Sequence, residues 1–180
     1  MPTSSGQNGS VAEPRWARGL RRGLDAVAIV ALWIAGLTLV AILVVMNVEI
    51  VVRYLFGTST LISDEYAGYG FVVMILTGLI YAHRRRALLR VDFALSRLKG
   101  RAGRILLGIT ALFSTVLAIF SAYAGYKTFA LSFLFNSTSS YASETPLWIP
   151  QSVLPIGFAL LALSFAEEAM RHFLGFEDRT

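Results

Sequence analysis

Long uncharged apolar runs alternate with short polar segments along this chain, and most of the polar segments are basic. Ala26 to Val48 is 23 residues without a charge. As a helix it would reach about 34 Å, enough to cross a bilayer core of about 30 Å. The second run, from about Tyr66 to His83, is less apolar, with Gly68, Gly70 and Gly78 inside it. The third starts at Ile105, meets no charge until Lys127 and stays apolar to about Phe135, so it is long or tilted. The fourth lies within Thr145 to Ala166, also uncharged. None of these runs alternates apolar with polar, which separates them from the strands of outer-membrane barrels, about 10 residues each. The pattern predicts an all-α membrane protein with four transmembrane helices, at about 26–52, 66–83, 105–135 and 146–170, in a membrane domain covering 15–175.

The segments between the spans carry their own signals. Residues 1–14 are rich in Ser, Gly, Pro and Asn without an apolar period, and read as a disordered tail. Residues 176–180 form a second short tail. Between the second and third spans, Val91, Leu95 and Leu98 share a face at helical spacing, interleaved with Arg90, Asp92, Arg97 and Lys99. That pattern predicts a short amphipathic helix on the membrane surface, its arginines among anionic head groups. The first span follows Arg18, Arg21 and Arg22, as a signal peptide follows its basic region. It is far longer than the 7–15 apolar residues such peptides carry, about, and Met46-Asn47-Val48-Glu49 is no small-residue cleavage site. It reads as an uncleaved anchor.

Charge then orients the spans. Four arginines precede the first span (Arg15, Arg18, Arg21, Arg22), and eight basic residues lie between the second and third (Arg84, Arg85, Arg86, Arg90, Arg97, Lys99, Arg101, Arg104). The other two connections have only Arg53 and Lys127. The positive-inside rule places both termini and the 84–104 loop in the cytoplasm, and the connections 53–65 and 136–145 outside. Composition agrees with a bilayer setting: 56% of residues are hydrophobic and 15% charged, against roughly 25% charged in soluble domains. The net charge of +5 is accounted for by arginines beside apolar spans, so nucleic acid is not an expected partner, whereas membrane lipids are. With no cysteine, disulfides, thiolate metal sites and cysteine nucleophiles are excluded.

Ionisable groups near spans are the candidate site residues, because an unpaired charge in lipid is costly. Glu49 and Arg53 are four apart and can pair on one helix face. Asp64 and Glu65 precede the second span; either could take Arg53 instead, and Ser63-Asp64-Glu65 also suits a helix start. Two readings stand for this group, a structural charge cluster or a substrate contact. Lys127 can snorkel to head groups, and Tyr123, Tyr126, Tyr141 and Trp148 fit an aromatic belt. Pro146 fits a first helical turn, while Pro150 and Pro155 would break a helix in progress. They predict an interfacial segment around Leu147-Trp148-Ile149, with the true span from about Gln151.

Catalytic and cofactor chemistry finds little here. His83 and His172 fall at the same ends of the second and fourth spans, where two facing histidines could hold a haem. The adjoining arginines place both at the water interface, so no cofactor is expected. No serine has the setting of an activated nucleophile, and neither a Walker sequence nor HExxH is present, so the chain is not expected to be an enzyme. Asn47, Thr77, Ser114, Thr115 and Ser121 are the mid-span polar residues a stand-alone carrier would need. Such hydroxyls more often bond a neighbouring helix or the preceding backbone turn.

Arg53-Tyr54-Leu55-Phe56-Gly57 closing the first span, then Ser63-Asp64-Glu65, resembles the small permease subunit of tripartite ATP-independent periplasmic (TRAP) transporters. Arg90-Val91-Asp92-Phe93 and Leu147-Trp148-Ile149-Pro150 with Leu154-Pro155-Ile156-Gly157 agree in order and spacing. Where the family often has Gly-His before the Val-Asp pair, this chain has Ala87 and Leu88, so no role is borrowed from that histidine. The resemblance implies a multi-pass subunit of the bacterial inner membrane, bracing a larger permease subunit that carries the substrate and sodium sites. It also implies a periplasmic solute-binding protein delivering an organic acid to this symporter complex. On that pattern Glu49, Arg53, Asp64 and Glu65 organise the outer surface, and Asp92, Trp148, Pro150 and Pro155 are structural or partner-facing.

Overall fold

The apolar runs fold as helices because a chain in lipid must satisfy its backbone hydrogen bonds internally. The computed structural model describes residues 15–59, 62–85, 87, 101–141 and 143–174. Among them, α1 spans Arg15–Phe56, α2 Ser63–Arg84, α3 Arg101–Leu134, α4 Trp148–Gln151 and α5 Val153–Leu174. Four stretches are long and apolar enough to cross a membrane, with α4 and α5 together making the last. The predicted surface helix of residues 91–98, Asp92 within it, and both tails lie outside the described residues.

Each helix end has a local cause. α1 stops at Gly57, whose φ of +63° suits a residue without Cβ and whose N–H donates to the Arg53 carbonyl at 3.1 Å. α3 ends in a Schellman turn on Asn136, φ 47°. There Ser137 N–H donates to Ser132 O at 3.0 Å and Asn136 N–H to Phe133 O at 3.4 Å. The α3–α4 connection then folds back on itself, with Ser139 N–H on Thr145 O and Leu147 N–H on Ser137 O. α4 and α5 are separated only by Ser152, and Pro155 in the first turn of α5 has no N–H to return to the Gln151 carbonyl. At α2 the structure departs from expectation. The N-cap is Ile62 without a side-chain bond, and Ser63 turns its hydroxyl to Glu49 instead.

The helices line up in a row. α1 packs on α2, α2 on α5, and α5 on α3, the α3–α5 contact being the most extensive. The core is made largely of small residues: Ala28 and Ala31 of α1, Ala118 of α3 and Ala162 of α5, around Leu76, Ile80 and Leu161. Small residues let helix backbones approach where lipid removes any hydrophobic preference for protein over solvent. A glycine sits at each joint. A Cβ on Gly70 would lie 2.9 Å from Ile42, one on Gly157 3.0 Å from Leu76, and one on Gly125 2.9 Å from Leu154. The face of α1 away from α2 is left exposed, from Ile29 and Trp33 to Tyr54.

Candidate functional site

Three polar clusters tie the row together, two at the Glu49 end and one at the opposite end. In the first, Glu49 is buried although it ends a lipid-crossing run. Its carboxylate accepts from Ser59 Oγ at 2.6 Å, Ser63 Oγ at 3.0 Å and Arg53 Nη2 at 3.2 Å. Arg53 also donates to Ser59 at 3.1 Å. The predicted Glu49–Arg53 pair is therefore formed, and Arg53 reaches neither Asp64 nor Glu65. Ser59 after α1 and Ser63 at the start of α2 thus close on the carboxylate, which satisfies the charge where lipid cannot.

Glu65 is the centre of the second cluster. It is buried one residue after exposed Asp64. Tyr69 Oη donates to it at 2.6 Å from the next turn of α2, and Ser143 Oγ donates from the α3–α4 connection. Ser143 also shares a hydrogen bond of 2.8 Å with Thr145, which is 3.2 Å from Tyr66 Oη. The first turn of α2 thus holds the 136–147 connection in place. Trp148 stacks edge-on against Phe133, centroids 5.8 Å apart, joining α4 to the end of α3. Lys127 lies over the Tyr123 ring at 5.2 Å. Of the predicted site residues, Glu49 with Arg53, and Glu65, enter polar networks; Asp64 stays on the surface; Pro150 and Pro155 shape the α4–α5 break.

The third cluster was not foreseen. Arg84, at the end of α2 and 8% exposed, donates to Glu167 Oε2 of α5 at 2.6 Å and to Asp25 Oδ1 of α1 at 2.6 and 2.9 Å. It also reaches the Arg21 carbonyl at 3.3 Å. One guanidinium fork therefore spans three helices, a task that suits arginine and not lysine. The sequence did carry a signal: Asp25, Arg84 and Glu167 each border an uncharged run at the same end. Counting Arg84 only toward topology hid it.

His83, at the end of α2, is buried against α5, its ring 4.3 Å from Phe165. Its Nε2 is 3.6 Å from Glu168, and Nε2 of His172 is 3.7 Å from the same carboxylate. Both Nε2 atoms thus face one carboxylate of α5. Of the predicted mid-span polar residues, Asn47, Thr77 and Thr115 bond their own helix, as Thr110 does. Thr77 donates to Val73 O at 2.7 Å, Thr115 to Ala111 O at 2.8 Å and Thr110 to Leu106 O at 2.7 Å, and the Asn47 amide donates to Leu43 O at 2.7 Å.

A row of apolar helices clamped at both ends by polar knots defines a multi-pass helical membrane subunit. Its polar groups hold helices together. Residues 42–175 match the family of the tripartite ATP-independent periplasmic transporters, DctQ component. The chain belongs to that family and is a small membrane subunit of a TRAP transporter. Comparison with curated proteins gives no match.

Proposed function

We propose that this subunit braces the larger permease subunit of its transporter during ion-coupled uptake of an organic acid delivered by a periplasmic binding protein. On this reading it sits in the bacterial inner membrane with both termini cytoplasmic. The twelve-to-two asymmetry of basic residues supports that orientation. The observation that carries the bracing role is the open row. Four spans joined edge to edge offer broad apolar faces to a partner, while their hydroxyls bond their own helices. Glu49, Arg53 and Glu65 would then stiffen the outer connections, Asp64 would lie on the surface that meets the binding protein, and Trp148, Pro150 and Pro155 would set the angle of the last span. Asp92 would act from the cytoplasmic loop.

Proteoliposomes test this. Vesicles holding both membrane subunits and given the binding protein should take up the organic acid, and the small subunit should co-purify tightly with the large one. Vesicles holding the small subunit alone should take up nothing. Uptake by the small subunit alone, or full uptake by the large subunit without it, would overturn the proposal.

A further inference from the structure

The edge of α1 opposite α2 combines a basic segment with an exposed apolar stripe. α1 is 42 residues long and begins before its uncharged stretch, so the segment from Arg15 to Asp25 continues the helix past the apolar run. In that segment Arg15, Arg18 and Arg22 follow at spacings of three and four and so share a face. All three are exposed. None makes an ion pair or hydrogen bond among the described residues. Continuing the same spacing, Ile29 and Trp33 fall on that face too, with exposed Val30 at its edge. The buried residues of α1, namely Leu24, Ala28, Ala31 and Ala35, lie on the other side, against α2.

The third cluster keeps this stripe positive. Asp25 is the sole acid in the basic segment, and it is taken by Arg84 in two hydrogen bonds. Arg84 also holds the Arg21 carbonyl, which fixes the helix where the arginines leave it. Arg22 stands about 16 Å along the axis from Trp33, close to the half-thickness of a bilayer core, about 15 Å. A positive cap above an apolar, aromatic stripe of that length matches an amphiphile with a negative head.

We propose that this edge of α1 holds an anionic phospholipid, its phosphate on Arg18 and Arg22 with Arg15 one turn further out, and its acyl chains along Ile29, Val30 and Trp33. Either leaflet would serve, so the site is independent of sidedness. It goes beyond the bracing role and does not rest on it.

Native mass spectrometry of the full chain in detergent, titrated with phosphatidylglycerol or with phosphatidylcholine of the same acyl chains, tests the site. The wild type should retain phosphatidylglycerol preferentially. Arg18→Gln/Arg22→Gln should weaken that retention by about 10- to 30-fold, near fivefold for each arginine, and leave phosphatidylcholine unchanged. Arg18→Lys/Arg22→Lys should keep most of it. Equal retention of the two lipids by the wild type would overturn the proposal without any variant. So would a glutamine variant that keeps phosphatidylglycerol but loses the large permease subunit, since the stripe would then dock protein.

Discussion

Replacing Arg84 with glutamine removes a side chain that joins α1, α2 and α5. Its partner Glu167 is 7% exposed and Arg84 itself 8%, so the loss leaves a buried carboxylate with only Arg171, one turn on in α5 at 3.8 Å, as counter-charge. Removing one member of a buried pair costs about 3–5 kcal/mol. Asp25 is half exposed and water can replace the guanidinium there, so its share is at most about 1 kcal/mol. With Arg171 still beside Glu167, the expected total falls at the lower end, about 3 kcal/mol. At about 2–4 °C per kcal/mol for a chain of this size, Arg84→Gln should lower the thermal midpoint in detergent by roughly 10 °C. Glu167→Gln should cost less, because Arg84 keeps Asp25. The double variant Arg84→Gln/Glu167→Gln should be more stable than the sum of the two singles by about 1–3 kcal/mol, since it removes the buried carboxylate together with its arginine and leaves only the half-exposed Asp25 and the partly exposed Arg171 to find other partners. Arg84→Lys should fall in between, holding one carboxylate but not both. A midpoint for Arg84→Gln within about 2 °C of wild type, or a strictly additive double variant, would refute the claim that this knot holds three helices.

Gly125→Ala should cost about 1–3 kcal/mol, because its Cβ would meet the Leu154 Cβ at 2.9 Å and the Pro155 nitrogen at 3.2 Å, and backbone cannot give way. Gly36→Ala, with nothing within 4 Å, should be neutral or slightly stabilising; thermal melts of the two compare them directly. Ser143→Ala should loosen the α3–α4 connection, which keeps Ser139 on Glu65, at about 1 kcal/mol, read as faster hydrogen exchange around Ser143 and unchanged exchange at the Arg84 end. Thr115→Val gives up only a bond to its own helix, so uptake by the reconstituted transporter should stay within about twofold of wild type. A larger loss would point to a polar path through the row.

The helices were legible because lipid imposes a length and forbids charge, and both are visible along one dimension of the chain. The Glu49–Arg53 pair was legible for a similar reason, since four residues bring two side chains together on any helix. Ser59 and Ser63, which complete the hold on Glu49, depend on the path of the connection and left no periodic trace. Arg84 lies 59 residues from Asp25 and 83 from Glu167. To pair them one must know that α2 stands between α1 and α5. In a soluble bundle the apolar stripe of each helix points to its neighbours. In lipid the outward side is as apolar as the packed side, so the order of the row is not written in the pattern. The small residues hint at joints, yet Gly70 and Gly157 become informative only once their neighbours Ile42 and Leu76 are known. The burial of His83 was equally hidden, because it depends on Phe165 of α5, a contact that no spacing along the chain reveals.

The row also sets an order of assembly. α1 and α2 emerge first from the ribosome and can close their hairpin at once, Arg84 taking Asp25 as soon as both are in the bilayer. α3 follows and must wait for α5, its principal neighbour. When α5 arrives it completes two seams together, against α3 and against α2, and brings Glu167 to an arginine already half neutralised. Insertion thus leaves the last-made helix as the keystone, and a chain truncated before it would present quality-control proteases with two separate, unfinished pieces.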